Sequence, residues 1–193
     1  MYTHAHLRYA EALAHVGDAG RLFDALCKAH PLGLQALVPS ASLRQANCYF
    51  SSSDAAFTDR YRASHEYARV AEGTVALDGG WRIYSSGPGI ALGIVVGRFL
   101  GIRQEAATLV IDPVISPALD GLRARLPIDG IATEILYKIG SSGFGPTRIM
   151  FTGHELTFQR GSNPYRVGAA ELPIAELHSR RQAGDDLLVV QIG

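Results

Sequence analysis

The apolar pattern of the chain changes its period once, near Gly101, and this limits the architecture more than any other feature. Before that point apolar residues recur at three- and four-residue spacing. Leu7, Ala10, Leu13 and Ala14 fall on one side of a helix predicted over 4–16, which Gly17 stops. Asp18 is placed to cap a second helix over 19–30, with Leu22, Phe23, Leu26 and Cys27 on one face, and Pro31 ends it. Two helices joined by two residues make a helical hairpin, the unit of bundles and helical barrels. A short helix is expected from Ser53-Asp54 through Asp59 to Ala63. An apolar helix is expected from Gly89 to Leu100, with Ser86 as N-cap and Pro88 near the first turn.

After Gly101, short runs rich in Val, Ile, Leu, Phe and Tyr alternate with Gly, Pro, Ser and Asn. They predict strands over 108–111, 122–126, 131–139, 147–151, 155–160, 171–177 and 187–192. Strands at this spacing with no helices between them predict an antiparallel sandwich. The expected fold is therefore α+β, with a helical part over 1–104 and a β part over 105–193.

Composition excludes several functions. Apolar residues make up 47% of the 193 residues and charged ones 19%, enough for a packed core. Lys+Arg (18) and Asp+Glu (18) cancel, which removes a bulk electrostatic case for nucleic acid or anionic membrane. The longest apolar run, Ile90 to Val96, contains Gly93 and ends before Arg98, well short of the roughly 20 residues that span a bilayer. Met1 to His6 has neither the basic nor the apolar region of a signal peptide. Two cysteines, Cys27 and Cys48, form neither a disulfide framework nor a metal cluster, so a reducing cytoplasm is expected.

Four local patterns carry possible chemistry. His4 and His6 diverge by about 200° on a helix, which does not suit a shared metal. One of them donating to an anion is the functional alternative to a structural role. Ser85-Ser86-Gly87-Pro88-Gly89 opens a helix with small residues, a hydroxyl and unpaired amides, a design for phosphate or simply for a well-capped buried helix. Arg44 to Asp54 mixes hydroxyls, amides and aromatics, as sugar sites do and as a loop leading into a helix cap does. Asp54, Asp59, Glu66 and Asp78 are each a possible general acid, and Asp78-Gly79-Gly80-Trp81 reads as a turn. There is no nucleophile elbow and no dinucleotide fingerprint. Gly140 to Gly145 lacks the Lys-Ser/Thr of a Walker loop.

Several stretches together resemble the C-terminal part of cyclic β-1,2-glucan synthases, within the inverting glycoside phosphorylases of the cellobiose phosphorylase type. They are Tyr2-Thr3-His4-Ala5-His6-Leu7-Arg8-Tyr9, Arg44-Gln45-Ala46-Asn47-Cys48-Tyr49-Phe50-Ser51-Ser52-Ser53-Asp54, Asp78-Gly79-Gly80-Trp81-Arg82-Ile83-Tyr84-Ser85-Ser86-Gly87-Pro88-Gly89 and Ile111-Asp112-Pro113-Val114. The resemblance implies the last helices of an (α/α)6 barrel followed by a β-sandwich. It implies phosphate attack on an anomeric carbon while one aspartic acid protonates the glycosidic oxygen. His4, Ser86 and Gly87 match the family's phosphate-binding His and Thr-Gly pair, with Ser keeping the hydroxyl. Within the Arg44 to Asp54 stretch, whose mixture of hydroxyls and aromatics suits a sugar, Tyr49, Ser53 and Asp54 are the candidates for substrate contact.

The departures are equally specific. The family's Asp-Trp-Asn-Asp-Gly motif, which carries the general acid, and its phosphate-binding Arg belong upstream of the first residue here. Ala91 stands where this branch often has an aromatic. No catalytic residue is therefore expected within the chain, no metal, and no cofactor apart from inorganic phosphate as co-substrate. The expected partners are a β-glucan oligosaccharide, phosphate, and either a second copy or the missing barrel half in trans, since half a barrel leaves apolar surface exposed. Met1 falls at an internal position of the family pattern, so a truncated product or separately encoded tail is expected. The alternatives are a non-catalytic carbohydrate-binding or interaction module and a decayed remnant.

Overall fold

The computed structural model describes residues 3–29, 39–40, 53–79, 86–181 and 186–193. The chain divides into two compact units, Met1–Ala10 with Asp24–Leu92 and Glu11–Phe23 with Gly93–Gly193. With helices and two larger sheets the fold is α+β.

Helices α1 (Thr3–Val16) and α2 (Ala19–Ala29) form the expected hairpin. Gly17 turns the chain at φ +83°. A side chain there would collide with Arg166 and Phe144, so both backbone and space require glycine. Asp18 accepts from the Arg21 amide at 3.0 Å as a cap. In α1 the expected Leu7, Ala10, Leu13 and Ala14 are the buried face. In α2 the buried stripe is Ala19, Leu22, Ala25 and Ala29, while Phe23 and Cys27 are exposed. The expected face was turned too far towards the larger side chains. Small alanines are what permit close packing.

The unit built on 93–193 is a two-sheet sandwich. One sheet has the order β3 (Ile102–Glu105), β4 (Thr108–Ile111), β10 (Ala170–Pro173), β9 (Gln159–Arg160). The other has the order β5 (Arg123–Ile128), β6 (Ile131–Ile139), β11 (Leu187–Ile192), β7 (Pro146–Phe151), β8 (His154–Leu156). Alternation places one face of each sheet inward: Ile102, Leu109, Ile111 and Leu172 meet Ile135, Tyr137, Ile149, Phe151, Leu188 and Val190 in one core. The Tyr137 hydroxyl donates to the Leu100 carbonyl at 2.7 Å, and burial pushes its phenol well above the usual range.

Four expectations change here. The sandwich is not wholly antiparallel, because β11 pairs in parallel with β6. The run 155–160 splits into β8 and β9, in different sheets. The run 171–177 is a strand only to Pro173 and then a helix, Ile174–His178. Proline has no N–H for the ladder, and its φ of −63° with extended ψ suits a helix N-cap. Strand β3 was not expected. It follows Gly101, whose φ is +69° and where an added Cβ would lie 2.1 Å from the Pro113 nitrogen.

A buried ion pair joins this unit's elements. Arg166 and Asp112 have side chains 3% and 10% exposed, and their bidentate contacts are 2.7 and 3.1 Å. Two further Arg166 donors reach the Ala14 and Val167 carbonyls, both at 3.0 Å. Arg166 thus holds the end of α1, the residue after β4 and its own loop. Asn163 adds a bond to the His15 carbonyl at 3.2 Å.

The other unit is smaller. Strands β1 (Ser53–Ala55) and β2 (Leu77–Gly79) pair antiparallel. Helices α3 (Arg60–Glu66) and α4 (Ala68–Ala71) lie between them in sequence, and α5 (Ser86–Ile94) follows, continuing as a π-helical turn over Val95–Phe99 into the sandwich unit. The expected helix start at Ser53-Asp54 is a strand instead. The helix begins at Arg60, where Asp59 accepts from the Tyr61 and Arg62 amides at 2.9 and 3.0 Å. Asp78-Gly79, expected in a turn, lie in β2. Cross-strand pairing, a tertiary choice, overrode the local cap signal at Ser53.

Two tests follow from these contacts. Arg166→Met should lower unfolding free energy by up to about 3–5 kcal/mol in urea denaturation, because Asp112 loses its bidentate partner and keeps only the looser contact of Arg103 at 3.8 Å; adding Asp112→Leu should recover much of that loss. On the two-residue turn Asp129-Gly130, Asp129 accepts from His178 at 2.6 Å and from Gln104, which hold its carboxyl below the ordinary range. A lowered folded-state pKa stabilises above the ordinary carboxylate value and is lost as pH falls through the lowered value. Asp129→Asn keeps a residue tolerant of φ +51°. Wild type should therefore exceed this variant in thermal stability near neutral pH and converge with it below about pH 4.

Candidate functional site

Of the residues singled out for phosphate and sugar, His4, Ser53, Asp54, Ser86 and Gly87 belong to one compact unit, on three elements. The helix α5 begins at Ser86, one residue inside the position expected of a cap. Its first turn holds Gly87, Pro88 and Gly89. Proline contributes no N–H, so the outward amide donors of that turn come from Ser86, Gly87 and Gly89. The helix dipole adds partial positive charge at the same end. Nothing at residues 86–94 supplies an acidic side chain to compete with an anion.

His4 lies in the first turn of α1 and is half-buried. His6, two residues on, has a different task. Its Nε2 lies 2.7 Å from the Ala25 carbonyl and ties α1 to α2. The divergence expected of a His-x-His pair on a helix is realised, and His6 is accounted for structurally.

Ser53 and Asp54 lie in β1, where Ser53 opposes Gly79 and Asp54 opposes Asp78. The ribbon thus joins two sequence stretches 24 residues apart that the resemblance had picked out separately. Tyr49 lies outside the described residues.

The other two acid candidates are poor proton donors. Backbone bonding from Arg62 lowers the Asp59 carboxyl below its ordinary value, and Tyr61 and Thr58 act the same way. Glu66 is held low chiefly by its hydrogen bond from Arg69, with Arg62 adding to it. A carboxyl kept ionised does not protonate a leaving group at neutral pH. Among the described residues no group of three or more His, Cys, Asp or Glu is placed to hold a metal ion.

Two residues that organise the described structure were missed in the sequence. Asp112 was noted only as part of a motif, and Arg166 not at all. Their partnership spans 54 residues, and no local spacing signals it.

Comparison with known proteins gives one informative likeness. Over 181 residues, 93% of its length, the chain is 43% identical to the 1,2-beta-oligoglucan phosphorylase of Listeria innocua. It spans only 16% of the length of that relative. No known protein-family profile matches the chain.

The role given to His6 is open to a direct check. His6→Ala should lower stability by about 1 kcal/mol in denaturant titration, the worth of one intramolecular hydrogen bond, with no change in phosphate affinity.

Proposed function

We propose that this chain is one section of a β-glucan phosphorylase and supplies the phosphate-holding part of its active site. The observation that carries the reading is the 43% identity to an oligoglucan phosphorylase along 93% of the chain. The helix start at Ser86 supports it, because the first amides of a helix and its dipole favour an anion there, the sequence supplies a hydroxyl, and residues 86–94 carry no carboxylate.

In this reading the Ser86 hydroxyl and the Ser86 and Gly87 amides hold inorganic phosphate, and His4 donates a further bond. A phosphate oxygen attacks the anomeric carbon from the face opposite the glycosidic oxygen. The bond to that oxygen breaks, and an aspartic acid outside this chain gives it a proton. The products are glucose 1-phosphate of inverted configuration and a glucan shorter by one residue. Since phosphate replaces the activated water of an inverting hydrolase, no second carboxylate is needed as base. Ser53 and Asp54 on the β1–β2 ribbon, with Tyr49, contact the sugar. No metal or organic cofactor takes part.

The first hundred residues would then be the closing helices of an (α/α)6 barrel, followed along the chain by the sandwich from about residue 105. The remaining helices come from the rest of the protein or from a partner chain. Because the relative is a phosphorylase, phosphorolysis is favoured over cyclic-glucan synthesis, and over a purely binding role. No helix among the described residues is long and apolar enough to cross a membrane, and we assign the protein to the cytoplasm, where phosphate and glucose 1-phosphate are handled.

The test is release of glucose 1-phosphate from short β-1,2-glucan and phosphate. The chain alone should release none, and adding the polypeptide that supplies the missing barrel should restore it. In the restored enzyme, Ser86→Ala or His4→Ala should each cut kcat/KM by at least about tenfold, mainly through KM for phosphate. Turnover by the chain alone would overturn the claim that the general acid lies outside it. Unchanged phosphate dependence in both variants would overturn the phosphate site.

A further inference from the structure

A cleft of about 380 Å³ opens on the sandwich, lined by Thr108, Thr157, Phe158, Gln159, Glu171 and Glu176. Its size falls within the range of roughly 300–1,000 Å³ typical of small-ligand sites. Every one of these residues belongs to the unit containing 93–193, and none is among the residues assigned to phosphate.

The sheet explains why these side chains face outward together. In β10, Ala170 and Leu172 point into the core, so Glu171 between them points away from it. Across the ladder Glu171 opposes Gln159 of β9, and Pro173 opposes Thr108 of β4. Directly opposed side chains have Cβ atoms only about 5 Å apart, so carboxylate and amide stand side by side on the outer face of the sheet without bonding each other. The place of Glu171 is further defined by Gly161. An added Cβ on that glycine would lie 2.3 Å from the Glu171 Oε1, so the missing side chain makes room for the carboxylate.

The charges around the cleft decide what it takes. No Lys, Arg or His lines it. The nearby Arg160 is committed to the Gly168 and Pro146 carbonyls at 2.9 and 2.8 Å and stacks over the Phe158 ring. Arg180 is bound to Glu176 by one carboxylate oxygen and the backbone carbonyl. Among the described residues the Glu171 carboxylate has no hydrogen bond or ion pair. An anion has no partner here. A bare cation meets only one uncommitted carboxylate. A neutral molecule with several hydroxyls and an apolar side satisfies carboxylate, amide, threonines and Phe158 together.

We propose that this cleft is a second saccharide site, independent of phosphate, that holds a β-linked gluco-oligosaccharide. The choice of a glucan rests on the function proposed above. The preference for a neutral polyhydroxyl ligand rests on the cleft alone.

The experiment is a titration of the full 193-residue chain with a short β-1,2-gluco-oligosaccharide, followed by backbone amide NMR and calorimetry, with and without inorganic phosphate. Saturable shifts should appear at 157–159 and 171–176 and be unaffected by phosphate or by Ser86→Ala. Glu171→Ala and Gln159→Ala should each weaken binding by about tenfold, with unchanged melting temperature, and Glu171→Gln should fall between. Shifts elsewhere only, or affinity equal in all three variants, overturn the proposal. So does spermidine binding at these residues in place of sugar. Absence of sugar binding at the cleft of the unaltered chain, together with phosphorolysis in the restored enzyme, defeats this proposal alone. Sugar bound at the cleft with no phosphorolysis under any reconstitution defeats the function proposed above and leaves the cleft as a saccharide site.

Discussion

A guanidinium taken out of water brings five N–H donors and a full charge with it, and each unmet demand is costly. Arg166 meets four of them with the two oxygens of the Asp112 carboxylate and two backbone carbonyls, and its stem lies against Phe144 and the turn at Gly17. The pair therefore fixes three things at once: where the strand β4 ends, where the loop after β9 crosses, and where α1 stops. A cation bound at the last carbonyls of α1 also complements the negative end of that helix. Replacing the pair by apolar groups of similar volume need not cost stability. What the ions add is orientation, because a bidentate fork accepts one geometry and a methyl cluster accepts several.

The sandwich and the helical elements divide the chemistry between them. The sandwich has a continuous core of alternating inward residues from both sheets, the arrangement that gives a β unit its own stability. Around the β1–β2 ribbon the described core is small, Val70 and Val75 with Ala55 and Phe57 against them, and helix α3 buries none of its residues. Yet this unit carries the helix start and the opposed Asp54 and Asp78. Backbone amides at a helix end need no side-chain core to point outward, which is why an anion site needs so little structure around it.

Much of this was legible in the chain, and what was not has identifiable causes. The period change at Gly101 was a sound guide, since 108–111, 131–139 and 187–192 are strands over those very residues. Alternation is a local property and survives folding. A helix beside Ser86 was readable for the same reason, because small residues and a proline near the first turn act within one turn, although it starts at Ser86 itself rather than at Gly89 and turns π-helical over Val95–Phe99. Ser53-Asp54 misled because the same residue types cap helices and sit in edge strands, and only pairing with Leu77–Gly79 decides between them. Pro173 was overlooked as a break because the apolar run continues past it.

By itself, then, the sequence determined the periodicity, the turns and the helix termini, all set by steric and hydrogen-bonding rules acting over a few residues. It determined the local chemistry of His4 and of Ser86-Gly87 as candidates for an anion. Only the tertiary structure decided that β11 lies parallel to β6, that Asp54 faces Asp78 in register, that Glu171 and Gln159 share an open cleft, and that Asp112 belongs to Arg166. The physical reason is the same in each case. These pairings join residues from 12 to 54 positions apart, and the free energy that selects them comes from burial and charge compensation, which exist only once the chain has closed on itself.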